Sequence, residues 1–331
     1  MSKDSVQSIL MLLKSCTREK DLCKGHRIHE DILKRGLLKK SIYIGTSLVD
    51  FYAKCGALSK AQLVFDELPT QNVVSWTALI GGYAQYGHGE KALSCFEKMQ
   101  QKGLSPDALT YVCILKACSS IKDAQKGSEI HAEIVKHGML GNDSVLGTAL
   151  VDMYVKCGAF AKAQQVFDVL PIQNIVSWNV LISGYCQHGH CEEALRCFQK
   201  MRCQGVSPNS ITFACILKAC GNLGAVEKGK NIHEEILREG YLGNDNMLGN
   251  ALVEMYAKCG DLAKAQDVFD NLNAWDVIGF TSLITGYDQH GYGDKALKCF
   301  EHMRSKGLSP DAMTFTCILK ACGSMGAAEM G

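Results

Sequence analysis

The chain repeats itself every 102 residues, and that period decides most of what it can fold into. Trp76, Trp178 and Phe280 are 102 apart, as are Pro106, Pro208 and Pro310. So are Cys55, Cys157 and Cys259, each inside a Lys-Cys-Gly triplet. A chain with this self-similarity stacks copies of one supersecondary unit and does not close a single globular core.

The block divides again. Residues 73–107, 108–143 and 144–174 make units of 35, 36 and 31 residues. The same cut gives 175–209, 210–245 and 246–276, then 277–311 and a partial unit 312–331. Backwards it gives 42–72 and 6–41. Each unit reads as two helices. In 73–107 the residues Trp76, Leu79, Ile80 and Tyr83 form one apolar stripe at helical spacing. Gly87-His88-Gly89 breaks that helix, and a second one carries Ala92, Leu93, Phe96 and Met99 on one side. It ends at Lys102-Gly103, a basic residue followed by glycine. Ser105-Pro106-Asp107 then turns the chain, with Asp107 placed to cap the next helix. One helical hairpin cannot bury its apolar face alone. The expected fold is therefore all-α, a right-handed α-solenoid of stacked hairpins spanning 1–331.

Composition narrows the function. Lys plus Arg is 35 and Asp plus Glu is 34, a net charge of +1, so bulk positive charge does not announce a nucleic-acid binder. An apolar share of 47% suits a folded chain. No run of about 18 apolar residues occurs, as a membrane helix would need. The first twenty residues fit neither a signal peptide nor a transit peptide, so any targeting segment is expected to lie outside this chain.

Of 17 cysteines, 13 fall in four repeat columns (those of Cys16, Cys55, Cys95 and Cys113), and Cys23, Cys186, Cys191 and Cys203 stand outside them. Recurrence at one structural position is the mark of a small packing residue, and so many thiols imply a reducing compartment. No CxxC spacing occurs, so no metal is expected. His131-Ala132-Glu133 matches half of a zinc-deaminase signature, but the P-C-x-x-C half is missing and His29 and His233 recur in register with His131. With no nucleophile–base set and no phosphate-binding glycine loop, neither catalysis nor a cofactor is expected.

Trp76, Leu79, Tyr83, Ala92, Phe96 and Pro106 resemble the tetratricopeptide pattern at first sight. The alternation of 35, 36 and 31 residues, the closing Ser-Pro-Asp or Ser-Pro-Asn, and the Lys-Cys-Gly of the short units instead resemble the pentatricopeptide repeat family, PLS subclass. The resemblance runs from about residue 6 to the end, naming the 36-, 31- and 35-residue units L, S and P. It implies an organellar protein of land plants, mitochondrial or chloroplast. Such a protein binds single-stranded RNA one base per repeat, most often as the recognition part of a C-to-U editing factor. The subclass usually ends in extension motifs or a DYW-type deaminase domain, and this sequence, which closes at GAAEMG, is expected to be a fragment of a longer array.

In that family the fifth and last residues of a unit choose the base, and the second packs on it. The resemblance thus assigns base reading to Thr46 with Asn72, Thr77 with Asp107, Thr148 with Asn174, Asn179 with Asn209, Asn250 with Asp276, and Thr281 with Asp311. It assigns base stacking to Tyr43, Val74, Val145, Val176, Met247 and Ile278. The chemistry agrees. A carboxylate only accepts hydrogen bonds and suits G and U, while an amide donates and accepts and suits A and C. The family's preference of Thr for purines and Asn for pyrimidines then gives 5′-N-A-G-N-A-Y-N-U-G-N-3′. Leu10, Val112, Ala214 and Thr316 occupy the fifth place of the L units, and these units are left unassigned.

Blander explanations stand beside each column. Asp and Asn at a unit's end also cap helices, and apolar residues at helix starts also pack. Lys54, Lys156 and Lys258, near the ends of first helices, suit phosphate contact or simple solvation. The competing function is a protein-binding scaffold of tetratricopeptide type. The L units could also recruit organellar editing partners.

Overall fold

The computed structural model describes residues 3–38, 40–141, 144–243, 246–324 and 326. Among these the fold is all-α, in two compact units that divide between Gln173 and Asn174. The first holds α1 (Lys3–Glu19), α2 (Leu22–Lys34), α3 (Ile42–Lys54), α4 (Leu58–Asp66) and α5 (Val73–Gln85). It continues with α6 (Gly89–Gln101), α7 (Ala108–Ile121), α8 (Ala124–Lys136), α9 (Ser144–Lys156) and α10 (Phe160–Asp168). The second holds α11 (Ile175–Gln187), α12 (Cys191–Cys203), α13 (Ser210–Leu223), α14 (Val226–Arg238) and α15 (Asn246–Lys258). It ends with α16 (Leu262–Asp270), α17 (Val277–Gln289), α18 (Gly293–Ser305) and α19 (Ala312–Ser324). The last residues of segments 108–143 and 210–245, and the end of 312–331, lie outside the described residues.

The odd-numbered helices lie side by side, α1 to α9 in one unit and α11 to α19 in the other. Within each unit the even-numbered helices pack on their own partners and on the next odd-numbered helix of that unit, as α6 does on α5 and α7. This is solenoid stacking, in which each hairpin buries its apolar stripe against its neighbours. Trp76, Leu79, Ile80 and Tyr83 are all buried, and so are Ala92, Phe96 and Met99 across from them. Trp76 meets Phe65 edge-on at 4.5 Å, and Phe280 meets Phe269 the same way at 4.7 Å. Gly82 lets α5 lie close on α3, because a Cβ there would fall 2.7 Å from the Ala53 methyl.

Turn chemistry ends the helices. After α6, Gly103 sits at φ +75°, its N–H bonds the Gln100 carbonyl at 2.8 Å, and the Leu104 N–H reaches Met99 at 3.2 Å. This is a Schellman stop, which favours glycine.

All 17 cysteines are free thiols. The Cys16, Cys118, Cys220 and Cys322 column is buried, and burial pushes the Cys118 thiol up to about 12 and the Cys220 thiol up to about 11. Such thiols stay protonated and pack as small apolar groups. The strays divide, with Cys186 and Cys191 buried and Cys23 and Cys203 exposed.

The histidine column also packs. His29, His131 and His233 each place Nδ1 2.9–3.0 Å from a tyrosine hydroxyl, of Tyr52, Tyr154 and Tyr256 in turn. The His-Ala-Glu triplet is therefore part of the joint between α8 and α9, with its histidine occupied by Tyr154.

Candidate nucleic-acid interface

The residues assigned to base reading and base stacking all lie at the starts of odd-numbered helices, within the opening residues or at the position just before them. Six of these helices, α5, α7, α11, α13, α17 and α19, are capped by the side chain of the residue just before them, whereas Ser41 before α3 makes no such bond. Asn72, Asp107, Asn209, Asp276 and Asp311 each accept the backbone N–H three residues on, at 2.8–3.1 Å. Asn174 accepts from Val176 and Ser177. The capping explanation thus holds for all six residues. It uses one side-chain oxygen and leaves the rest of the group on the first-turn surface. At Asp311 the Thr314 N–H and hydroxyl hold the carboxyl below its ordinary value, so it stays a pure acceptor.

The fifth residues reach those caps. Asn250 Nδ2 donates to both carboxylate oxygens of Asp276, at 3.0 and 2.8 Å, while its own buried Oδ1 finds no partner among the described residues. Asn179 Nδ2 donates to Asn209 Oδ1 at 3.1 Å. Thr77 and Thr281 meet Asp107 and Asp311 indirectly, through the hydroxyls of Thr110 and Thr314. Thr46 is buried with a hydroxyl that has no partner among the described residues. Thr148 turns its hydroxyl back to the Ser144 carbonyl at 2.7 Å, and it belongs to one compact unit while Asn174 belongs to the next.

The second residues point outward. Tyr43, Val74, Val145, Val176, Met247 and Ile278 are 42–72% exposed. A helix start that packed its apolar residue would bury it, so the packing explanation fails here. Leu109, Ile211 and Met313, the second residues of the L units, are exposed in the same way and escaped the sequence reading. Their signal was the continuity of the column across every unit from 42–72 onward; in the first L unit the second residue is the polar Gln7. Single exposed apolar residues are ordinary, but one at each successive first turn makes a ladder.

Grooves run beside these ladders. In the first unit one of about 550 Å³ is lined only by odd-numbered helices and a cap, including Thr46, Val74, Thr77, Asp107 and Leu109. In the second, one of about 440 Å³ is lined by Met247, Asn250, Asp276 and Ile278 together with α11 and α13. The lysines are less free than expected. Lys54 pairs with Asp50 at 2.9 Å, Lys156 with Asp152 at 2.7 Å and Lys258 with Glu254 at 2.6 Å. Each pair is one helical turn long and exposed enough to exchange its partner.

Comparison with known proteins agrees with the helical-repeat fold. The PPR repeat family matches residues 71–120, 173–222 and 275–324, and single PPR repeats match 46–73 and 250–275. The chloroplastic pentatricopeptide repeat-containing protein CRR2 of Arabidopsis thaliana is 38% identical over 100% of this chain and 51% of its own length. A mitochondrial pentatricopeptide repeat-containing protein of the same plant is 36% identical over 97% of this chain and 46% of its length. The chain thus spans about half the length of the curated relatives it matches. Among solved structures, maize PPR10 in complex with an 18-nucleotide psaJ RNA element shares the fold, with a TM-score of 0.78 at 20% identity. The alignment covers 93% of this chain and 46% of PPR10. Helical hairpins in tandem, repeat matches in five segments and relatives along almost the whole sequence together place the chain in the pentatricopeptide repeat family.

Proposed function

We propose that this chain binds single-stranded RNA sequence-selectively, one base per unit, and serves as the target-recognition part of an organellar C-to-U editing factor of the PLS type. The observation that carries the reading is the arrangement at the first turns. A fifth residue and a capping Asp or Asn are hydrogen-bonded, directly or through one hydroxyl, in four of the six pairs, beside an exposed apolar side chain. A base can lie against the apolar group and present its edge to the polar pair, which is how unstacked bases are recognised. The repeat units are 6–41, 42–72, 73–107, 108–143, 144–174, 175–209, 210–245, 246–276 and 277–311, with 312–331 partial. Their footprint is 5′-N-A-G-N-A-Y-N-U-G-N-3′. PPR10 was crystallised with RNA, which supports the class of ligand. Relatives named chloroplastic or mitochondrial support an organellar setting. Lys54, Lys156 and Lys258 contribute weak phosphate contacts.

The test is fluorescence anisotropy of the purified protein with this ten-base RNA and with a scramble of equal composition. Tighter binding of the footprint is expected. Equal binding would defeat the residue assignments, and no binding at any salt would favour a protein-binding scaffold.

A further inference from the structure

At each junction from a 35- to a 36-residue unit, the third residue of the new first helix is a threonine with no exposed surface: Thr110, Thr212 and Thr314. Each bonds its own helix cap, and each also reaches 33 residues back to the fifth residue of the preceding unit. The separations are 2.6 Å from Thr110 to Thr77, 2.6 Å from Thr212 to Asn179 and 2.7 Å from Thr314 to Thr281.

Proton counting fixes the direction of these bonds. A carboxylate only accepts, so the single proton of Thr110 goes to Asp107 Oδ1, 2.7 Å away. The Thr110 oxygen then faces Thr77 with a lone pair, and Thr77 must donate. With its proton spent inward, Thr77 can offer only lone pairs outward. Together with Asp107 it presents acceptors alone. Thr281, Thr314 and Asp311 repeat the arrangement in the other compact unit, Thr314 donating to Asp311 at 2.7 Å. Guanine carries two adjacent donors, N1–H and the N2 amine, on its pairing edge. Adenine sets an acceptor beside its amine, and uracil has one N–H between two carbonyls.

Asparagine reverses the sign. Asn209 Oδ1 is held by the Thr212 N–H at 3.1 Å, which turns its amine outward. Asn179 Nδ2 donates one hydrogen to that same oxygen, and Asn179 Oδ1 accepts the Thr212 hydroxyl at 2.6 Å. What remains outward is N–H alone. Cytosine has two adjacent acceptors, O2 and N3, whereas uracil places N3–H between its oxygens, facing a donor.

At Thr46/Asn72 and Asn250/Asp276 no such relay is found among the described residues. The Ser75 hydroxyl bonds the Asn72 backbone at 2.9 and 3.1 Å and leaves Thr46 its own proton. Position 279 is glycine, and a Cβ there would fall 2.7 Å from Asn250 Oδ1.

We propose that Thr110, Thr212 and Thr314 are specificity-setting positioning residues. They fix the hydrogen-bond polarity of the reading pair beside them, two acceptors for G at Thr77/Asp107 and Thr281/Asp311 and two donors for C at Asn179/Asn209. The proposal rests on the RNA reading above.

The experiment measures binding of ten-base RNAs that differ only at the base opposite residues 73–107, G against A. It uses the wild-type protein, Thr110→Val, which keeps the shape and loses the hydroxyl, and Thr110→Ser, which keeps the hydroxyl. The valine variant is expected to lose about tenfold of its preference for G over A, the worth of one hydrogen bond, because the Thr77 proton is freed toward adenine N1. Serine should restore the preference, and the base opposite 175–209 should not respond. Unchanged G preference in the valine variant, or equal weakening at every base, would overturn the proposal. Thr314→Val repeats the test at an independent junction, and thermal melting checks that each variant folds. Opposite 175–209 the wild-type protein should bind cytosine better than uracil, and the reverse would overturn the donor assignment. Absence of any G preference in the wild-type protein shows, before any substitution, that the underlying RNA reading has failed and takes the proposal with it.

Discussion

Thr77 and Asp107 lie 30 residues apart in sequence, yet one buried hydroxyl joins them. Asp107 has two duties, capping α7 and presenting an oxygen on the first-turn surface. Asp107→Asn separates them. Asn caps as well as Asp, so the melting temperature should hardly move, while preference at that base should shift from G to A. An assay of single-base RNA variants checks this, and a large loss of stability without a change of base would mean that the residue only caps. The capping column was legible in the sequence because Asp and Asn recur at the unit ends. The relay was not, because Thr110 is an ordinary N3 residue of a capping box until it is seen against Thr77. Nor did Lys54, Lys156 and Lys258 reveal their acidic partners, although each lies only four residues away.

Among the helices, the solenoid was legible from the 102-residue period and the apolar stripes, since Trp76, Leu79, Ile80 and Tyr83 are buried together. The stops were legible from glycine. Gly103 at φ +75° has open space around a Cβ, so Gly103→Ala should destabilise by about 1–2 kcal/mol through left-handed strain alone, measurable by urea unfolding. No change would place the strain elsewhere.

The histidine–tyrosine joints were invisible in sequence beyond the register of the histidines. Burial lowers all three histidines below their ordinary 6.5. Lys162 adds to this at His131 and Lys264 at His233, while Asp267 and Glu234 oppose it at His233. At His29, His26 and Lys60 lower it and Glu67 and Glu30 oppose them. The folded state thus prefers neutral imidazole. Its stabilisation is complete above pH 6.5 and is lost as the pH falls through the lowered folded values. Thermal melting should show a falling midpoint from about pH 7 to about pH 5, with a smaller fall in His131→Asn. A flat profile would remove the joints as proton-linked elements.

For the whole molecule, near-zero net charge no longer argues against nucleic acid. On the proposed reading, affinity is expected from the ladder of exposed apolar groups and polar pairs, with few phosphate contacts. Three lysines at about 0.7 each on single strands set a slope of about −2 in log K against log salt. A much steeper slope would mean that binding is governed by bulk charge.

The central claim is that one unit reads one base. It is tested most directly by selecting RNAs from a randomised ten-base library with the wild-type protein and with Thr77→Asn in parallel. The account predicts enrichment of A-G-N-A-Y-N-U-G by the wild-type protein, and a single change from G to U opposite residues 73–107 in the variant. Enrichment of an unrelated sequence, or a variant that weakens at every position alike, would contradict it.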